Sequence, residues 1–309
     1  MFVAELPTNL TNTDPDYAAE SALLATSISD AVKLTRIALQ HNQSKLLFND
    51  PNLEAKILVE HACQKTSVQL ITCCDELLSN EQKHLLVTYI KRRIDGYPVA
   101  YIIKHQAFWT LDLVVSEDTL IPRADSELLV ETAIRLPLAS TAKIVDLGTG
   151  TGAIALAIKS ERPHWQVMGT DFKAEIVELA RTNAERNKLD AAFALSHWFS
   201  ALGGLRFDLI ISNPPYVETE SEWLQKGDVR FEPDSALTSG LDGLDDIRHI
   251  VRSSIGFLKN DAYLMLEHGH LQAKDIQSLM NEAGFSKVQT KQDLNGLDRA
   301  TIGHWDCAN

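Results

Sequence analysis

The stretch Ile144-Val145-Asp146-Leu147-Gly148-Thr149-Gly150-Thr151-Gly152-Ala153-Ile154-Ala155-Leu156 decides the fold. Its first residues form a short apolar run of the kind a buried strand makes, and its last residues form an apolar helix start. Between them, three glycines at alternate positions allow a tight turn and let a ligand approach the backbone without Cβ clashes. Asp171 follows about 20 residues on, at the end of the next strand, where a carboxylate accepts hydrogen bonds from a ribose diol. Asp146, on the strand before the loop, is placed either to position the loop or to face a cationic cofactor.

Outward from this unit, strands and helices alternate. Strands are predicted at Lys143–Leu147, Gln166–Thr170, Ala192–Ser196, Asp208–Ser212 and Ala262–Glu267, with Ser286–Gln289 and Ala300–Trp305 closing the chain. Helices fill Ala153–Glu161, Ala174–Lys188, Leu244–Leu258 and Leu271–Ala283. Such alternation predicts an α/β fold with a mostly parallel sheet covered on both faces. The last two strands, joined near Asp293–Asp298, are expected to pair antiparallel at an edge. Taken alone, the glycine loop fits NAD, FAD or S-adenosylmethionine.

On the other side, residues 1–20 read as a polar, flexible tail. Residues 21–95 carry apolar residues at helical spacing, with Pro51-Asn52 and Ser79-Asn80 as helix starts, and predict a bundle of about four helices. This bundle holds no convergent set of catalytic residue types, so its expected role is to recognise a partner or cover the active site. Residues 96–124 read as a β-hairpin linker, from the strand-like runs Val99–Ile103 and Phe108–Val115. Asp125-Ser126-Glu127 then offers capping chemistry to the next helix, opening a catalytic domain over 125–309.

The bulk properties narrow the class. The chain has 309 residues, 45% of them hydrophobic and 23% charged, as a folded enzyme-sized protein does. Its formal net charge of -13 disfavours phosphate backbones and leans towards a small molecule or a basic protein as partner. Cys63, Cys73, Cys74 and Cys307 lack the spacing of a disulfide framework or a zinc site. The first basic residue is Lys33, and no apolar run approaches the roughly 20 residues that span a bilayer, so a cytoplasmic address is expected.

The chemistry is read from Asp208-Leu209-Ile210-Ile211-Ser212 ending in Asn213-Pro214-Pro215-Tyr216. Ligands of open α/β sheets sit at the carboxyl ends of strands, so this tetrapeptide should face the glycine-loop crevice. Two consecutive prolines hold the chain rigid and extended. The Asn213 side-chain oxygen and a rigid backbone carbonyl can together accept both protons of an NH₂ group, and Tyr216 offers an aromatic wall to a planar group. An amide nitrogen, a poor nucleophile, would gain from being oriented by two fixed acceptors.

Gly96-Tyr97-Pro98-Val99-Ala100-Tyr101-Ile102, Phe108-Trp109, Leu120-Ile121-Pro122-Arg123, Asp146–Gly152, Asn213–Tyr216, Val229-Arg230-Phe231-Glu232-Pro233 and Glu267-His268-Gly269 occur in that order. With them the chain resembles the class I methyltransferases, and among these the protein-glutamine N5-methyltransferases of peptide chain release factors. The resemblance implies a seven-stranded Rossmann-like class I methyltransferase domain preceded by a small all-α domain that helps engage the release factor. It implies S-adenosyl-L-methionine as cofactor and the glutamine of a Gly-Gly-Gln loop as substrate. By position, Gly148, Thr149, Gly150, Thr151, Gly152 and Asp171 would bind the cofactor, Trp198 would flank the adenine, and Asn213 would touch the cofactor as well. Asn213, Pro214, Pro215 and Tyr216 would form the glutamine site, with Asn213, Pro214 and Tyr216 carrying catalysis. The chain departs from the family at Ala124 and Ser126, where Pro and Thr are usual, and near Ile103-Lys104-His105, where a common glycine is absent and the hairpin is expected to differ.

The chain is expected to act as a monomer, with no direct nucleic-acid contact, no membrane and no metal. Glu267-His268-Gly269-His270 puts its two histidines on opposite faces of a strand end, a poor metal set, so Glu267 is read as lining the cofactor crevice. Arg123 and Glu127 are expected to pair across the first turn of their helix, and Arg230 and Glu232 to organise a substrate loop or form an exposed pair. Competing functions are an adenine-N6 nucleic-acid methyltransferase, which would need a basic region to hold a flipped base, a glutamine methyltransferase of a ribosomal protein, and a non-catalytic cofactor-binding module.

Overall fold

The computed structural model describes residues 19–42 and 50–306; most of the predicted tail, and Cys307, lie outside the described residues. The chain divides into two compact units: Met1–Lys104 with Glu222–Phe231, and His105–Ser221 with Glu232–Asn309.

The first unit is helical: α1 (Ile28–His41), α2 (Pro51–Cys63), α3 (Ser67–Thr72), α4 (Asn80–Ile94) and α5 (Val99–Ile103). Local chemistry sets the starts. The Asp50 carboxylate accepts from the amides of Asn52 and Leu53 ahead of Pro51. Thr66 with Gln69, and Ser79 with Gln82, form reciprocal capping boxes. Leu34, Leu39, Leu58, Leu86, Ile90 and Ile94 fill the core. Ala19 and Glu20, assigned to the tail from composition, are helical, and Ala19 is fully buried.

Val99–Ile103, expected as a strand, is α5. Its β-branched and aromatic residues favour an extended chain, yet burying Tyr101 and Ile102 favours a helical turn, and packing overrides so weak a preference. Arg93, 1% exposed, ties the unit together. Its Nε and Nη2 each donate to Glu54 at 2.9 Å, while Nη1 donates to Asp228 and to the Tyr97 carbonyl, both at 3.0 Å. The Tyr97 and Phe231 rings pack with centroids 4.5 Å apart.

The second unit opens with an antiparallel hairpin, β1 (His105–Phe108) and β2 (Leu111–Val114). Next come α6 (Glu127–Ile134), β3 (Lys143–Leu147), α7 (Ala153–Glu161), β4 (Gln166–Asp171), α8 (Ala174–Arg186), β5 (Ala192–Leu195) and β6 (Phe207–Ser212). α9 (Asp245–Ser254), β7 (Leu258–Glu267), α10 (Ala273–Glu282), β8 (Ser286–Gln292) and β9 (Asp298–Trp305) complete it. The predicted helix to Leu258 stops at Ser254, and β7 starts at Leu258 where Ala262 was expected.

The sheet runs β5-β4-β3-β6-β7-β9-β8. Pairs from β5 to β7 are parallel, whereas β9 runs antiparallel to both β7 and β8. Strand order reverses at β3, with β4 on one side and β6 on the other, and such a switch point opens a crevice at the strands' carboxyl ends. The glycine loop after β3, Asp171 ending β4 and Asn213 following β6 all fall there. Beneath it, Ile144, Leu147, Leu209 and Ile211 are fully buried, as are Ala155, Leu156, Ala157 and Ile158 of α7.

Candidate active site

A cavity of about 300 Å³ lies at this switch point, bounded by Gly148–Thr151, Asp171, Phe172, Trp198, Asn213 and Pro215 among others. Gly148, Gly150 and Gly152 have φ of +67°, +53° and +84°, a region costly for any residue with a Cβ. A Cβ on Gly150 would meet nothing within 4 Å and would project into open space, whereas one on Gly148 would sit 3.4 Å from the Trp198 ring.

The loop is held from beneath. Thr149 donates its amide to the Thr170 carbonyl at 2.8 Å and its hydroxyl to Asp146 Oδ2 at 2.6 Å. Asp146 therefore positions the loop, and burial pushes its carboxyl up to about 7. Asn183, fully buried on α8, exchanges hydrogen bonds with Val114 of β2 at 2.7 and 2.9 Å and donates to the Thr151 carbonyl at 2.9 Å. Asp171 Oδ2 accepts from the Gly150 amide at 3.1 Å and Oδ1 from the Phe172 amide at 2.8 Å. Burial raises its carboxyl, and these amides oppose the rise. Trp198 adopts a left-handed backbone, φ +48°, which lays its ring against Gly148.

At the end of β6, Asn213 Nδ2 donates to Ser126 Oγ at 3.1 Å. That use of the NH₂ leaves Oδ1 as the acceptor without a partner among the described residues. The tetrapeptide is clamped at its far end. The Tyr216 hydroxyl donates to Glu267 Oε1 at 3.4 Å, its carbonyl accepts from Gln272 Nε2 at 3.0 Å, and its amide donates to the Leu237 carbonyl at 3.1 Å. Asn213 and Pro215 bound the cavity; Pro214, which is buried, and Tyr216 are not among its lining residues.

Several side chains stand elsewhere than expected. Arg123 pairs with the buried Glu232 at 2.5 Å and not with Glu127, whose carboxylate accepts from the Trp109 amide at 2.8 Å. Arg230 donates to the Asp95 carbonyl and lies over the Phe231 ring, so the expected Arg230–Glu232 pair does not form. Glu267 is 1% exposed and outside the cavity lining, because its partner is Tyr216. His268 is bound to the Thr301 hydroxyl at 2.8 Å and to the Gly269 carbonyl at 2.9 Å. Ser126 makes no cap bond to α6; it serves Asn213.

Sequence reasoning missed Asn183, Ser126 and Gln272. Ser126 stands in a motif that was quoted for its capping residue types, and Asn183 interrupts the apolar face of a helix. Gln272 carries no local signal.

The site and fold define a methyltransferase, and comparison with known proteins agrees. The family described as Methyltransferase small domain matches residues 107–227, and PrmC N-terminal domain matches residues 28–103. The release factor glutamine methyltransferase of Pseudomonas aeruginosa is 48% identical over 82% of this chain and 93% of its own. That of Vibrio cholerae is 42% identical over 91% of this chain and 98% of its own. That of Shewanella oneidensis is 44% identical over 82% and 89%. The chain belongs to the release factor glutamine methyltransferase family. Two solved structures share the fold: a methyltransferase from Pyrococcus furiosus, with a TM-score of 0.50 and 18% identity over 70% of this chain and 96% of its own, and the hMettl16 catalytic domain in complex with MAT2A 3′UTR hairpin 6, with a TM-score of 0.53 and 15% identity over 76% and 84%.

Proposed function

We propose that this enzyme transfers a methyl group from S-adenosyl-L-methionine to the side-chain amide nitrogen of the glutamine in the Gly-Gly-Gln motif of peptide chain release factors. The observation that carries the reading is Asn213. Its NH₂ donates to Ser126, and its carbonyl oxygen remains as an acceptor beside the cavity that the glycine loop and Asp171 also line.

The residues present fit the cofactor. The open space over Gly150 suits close approach of a ligand to the backbone, and Asp171 supplies carboxylate acceptors for a ribose diol. Gly148, Thr149 and Thr151 line the rest of the cradle, Gly152 lies outside that lining, packed towards Ala180, Leu156 and Phe193, and Trp198 offers a ring to the adenine. S-adenosylmethionine, when bound, supplies an electrophilic methyl on a positively charged sulfur. Asn213 Oδ1 and the Pro214 carbonyl would accept the two amide protons of the glutamine, fix the nitrogen, and favour electron density moving onto it. The rigid Pro214–Pro215 segment holds these acceptors in advance, so orientation costs little during reaction. Pro215 packs at the cavity, while Tyr216, through its clamp, holds the segment's end. Transfer would exchange the sulfur–methyl bond of the bound donor for a nitrogen–methyl bond on the glutamine, whose nitrogen would give up one proton.

Among its described residues the helical unit carries no such site, and we assign it to recognition of the release factor. The acidic charge of -13 suits a partner other than a phosphate backbone. The test is peptide-mapped mass spectrometry of release factor, ribosomal protein and an adenine-containing duplex, each incubated with enzyme and S-adenosylmethionine. One methyl on the Gly-Gly-Gln glutamine is expected. Methyl on the ribosomal protein or the duplex alone would keep the cofactor assignment and overturn the substrate.

A further inference from the structure

A protein whose glutamine enters the cavity must lay the rest of its body over the sheet edge where the cavity opens. That edge holds the carboxyl ends of the parallel strands. Among the described residues of the second unit, seven large apolar side chains are exposed, and six of them stand on this edge. Phe172 follows β4, Leu195 ends β5, Leu241 lies between β6 and α9, and Leu271 follows β7. Leu294 and Leu297 occupy the turn from β8 into β9, and β9 begins level with the end of β7, where Ala300 faces Glu267. The seventh, Leu205, stands ahead of β6 at the opposite edge. Exposed leucines scattered singly are ordinary, but a gathering on the catalytic edge marks a contact surface.

The three most exposed, Leu241, Leu271 and Leu294 at 82%, 83% and 107%, sit on turns that are held in place. Gln272 binds the first two turns to the tetrapeptide. Its Oε1 accepts from the Gly269 amide at 2.9 Å, and its Nε2 donates to the carbonyls of Tyr216 at 3.0 Å and Asp242 at 3.3 Å. A Cβ on Gly243 would lie 2.3 Å from the Tyr216 oxygen, so Leu241's turn packs directly on Tyr216. In the third turn, Asp293 Oδ1 accepts from the amides of Asn295 at 2.8 Å and Leu297 at 3.0 Å. Leucines presented on fixed turns bind with little ordering cost.

Reach and charge indicate the partner. Neighbouring strands lie roughly 4.8 Å apart, which puts the turns at β7 and β9 about 5 and 10 Å sideways from β6 and Asn213. A standard interface takes about 800 Å² from each partner, a disc of roughly 16 Å radius, so a protein with its glutamine at Asn213 covers both turns. The arginines here are already committed: Arg248 to Asp242 and Asp245, Arg299 to Asp293 and Asp125. A phosphate backbone would find paired charges and leucines, whereas a protein would find apolar area to bury.

We propose that Leu241, Leu271 and Leu294, with Leu297, form an apolar docking rim on the catalytic unit for the part of the release factor that carries the Gly-Gly-Gln loop. The proposal rests on the glutamine reading above. It places a contact on the second unit itself, in addition to the recognition assigned to the helical unit.

The test uses the full chain with intact release factor. It compares wild type with the triple variant Leu241→Ser, Leu271→Ser and Leu294→Ser, and with Leu205→Ser as the control at the other edge. The triple variant should raise KM for the release factor at least about 10-fold, since fully burying one leucine is by itself worth roughly that in affinity. Its kcat at saturation, its affinity for S-adenosylmethionine and its melting temperature should match wild type, because the altered side chains are exposed. Leu205→Ser should leave KM unchanged. An unchanged KM in the triple variant, an equal rise in Leu205→Ser, or a loss confined to kcat or to cofactor affinity would each overturn the rim. So would self-association of the wild type in sedimentation that the triple variant abolishes while KM holds, which would give the surface to a second copy. If the wild-type chain leaves the release factor unmethylated, the substrate reading itself fails and takes the rim's partner with it.

Discussion

Asn213 and Asp171 line the same cavity but are proposed to hold different things, so their loss should separate cleanly. Asn213→Ala would remove the acceptor proposed for the substrate nitrogen and leaves the glycine loop's own bonds intact. It should reduce methylation to the detection limit while calorimetric affinity for S-adenosylmethionine persists; normal turnover would refute the acceptor role. Asp171→Ala removes the carboxylate acceptors and also the bond that Gly150 donates. It should weaken cofactor binding at least 10-fold, as loss of a hydrogen bond to a charged group commonly does. An unchanged affinity would remove Asp171 from the ribose site. Both positions were legible in the sequence, because Asp171 ends β4 and Asn213 directly follows β6, where the strand ends meet the switch-point cavity. Ser126 was read as a cap; only the folded chain shows it turned to Asn213 across 87 positions.

The elements were most legible where one local signal governed. Ala153–Glu161 and Lys143–Leu147 form with the expected bounds, since the glycine loop punctuates both. The caps at Asp50 and Ser79 start their helices where Pro51-Asn52 and Ser79-Asn80 foretold. Val99–Ile103 failed because its composition favours a strand while its burial needs a helix, and composition is the weaker term. The turn ending that helix holds Lys104 at φ +61°, a left-handed conformation that costs a non-glycine residue about 1–2 kcal/mol. Lys104→Gly should relieve that cost less the extra chain entropy of glycine, a net gain of about 0.5–1 kcal/mol. Urea unfolding would show a higher midpoint, and a lower one would mean the Lys104 side chain offsets its own strain.

Across the whole molecule, the buried carboxyls set a pH dependence. Burial raises both Asp146 and Glu267 to about 7, above their unfolded values, so the fold prefers their protonated forms. Their contribution is fullest below the unfolded values and is lost as pH rises through about 7. His268 acts oppositely: burial lowers it, so acid favours its charged, unfolded form. Glu267→Gln keeps a neutral group at every pH. Its melting temperature relative to wild type should therefore climb between about pH 5 and pH 8. A difference that stays flat over that range would show Glu267 to be charged throughout.

The sequence by itself determined the α/β class, the strand order's starting unit, the glycine loop, Asp171 and the Asn213–Tyr216 motif. These depend on backbone conformation and residue type within a few positions, which the chain carries locally. The tertiary structure alone decided that Arg123 meets Glu232, that Asn183 braces the loop, and that Ser126 and Glu267 stand behind the tetrapeptide. Such contacts join residues tens of positions apart, and periodicity holds no record of them. Burial made the choice, because a polar group withdrawn from water must find its partner wherever the packed elements bring one.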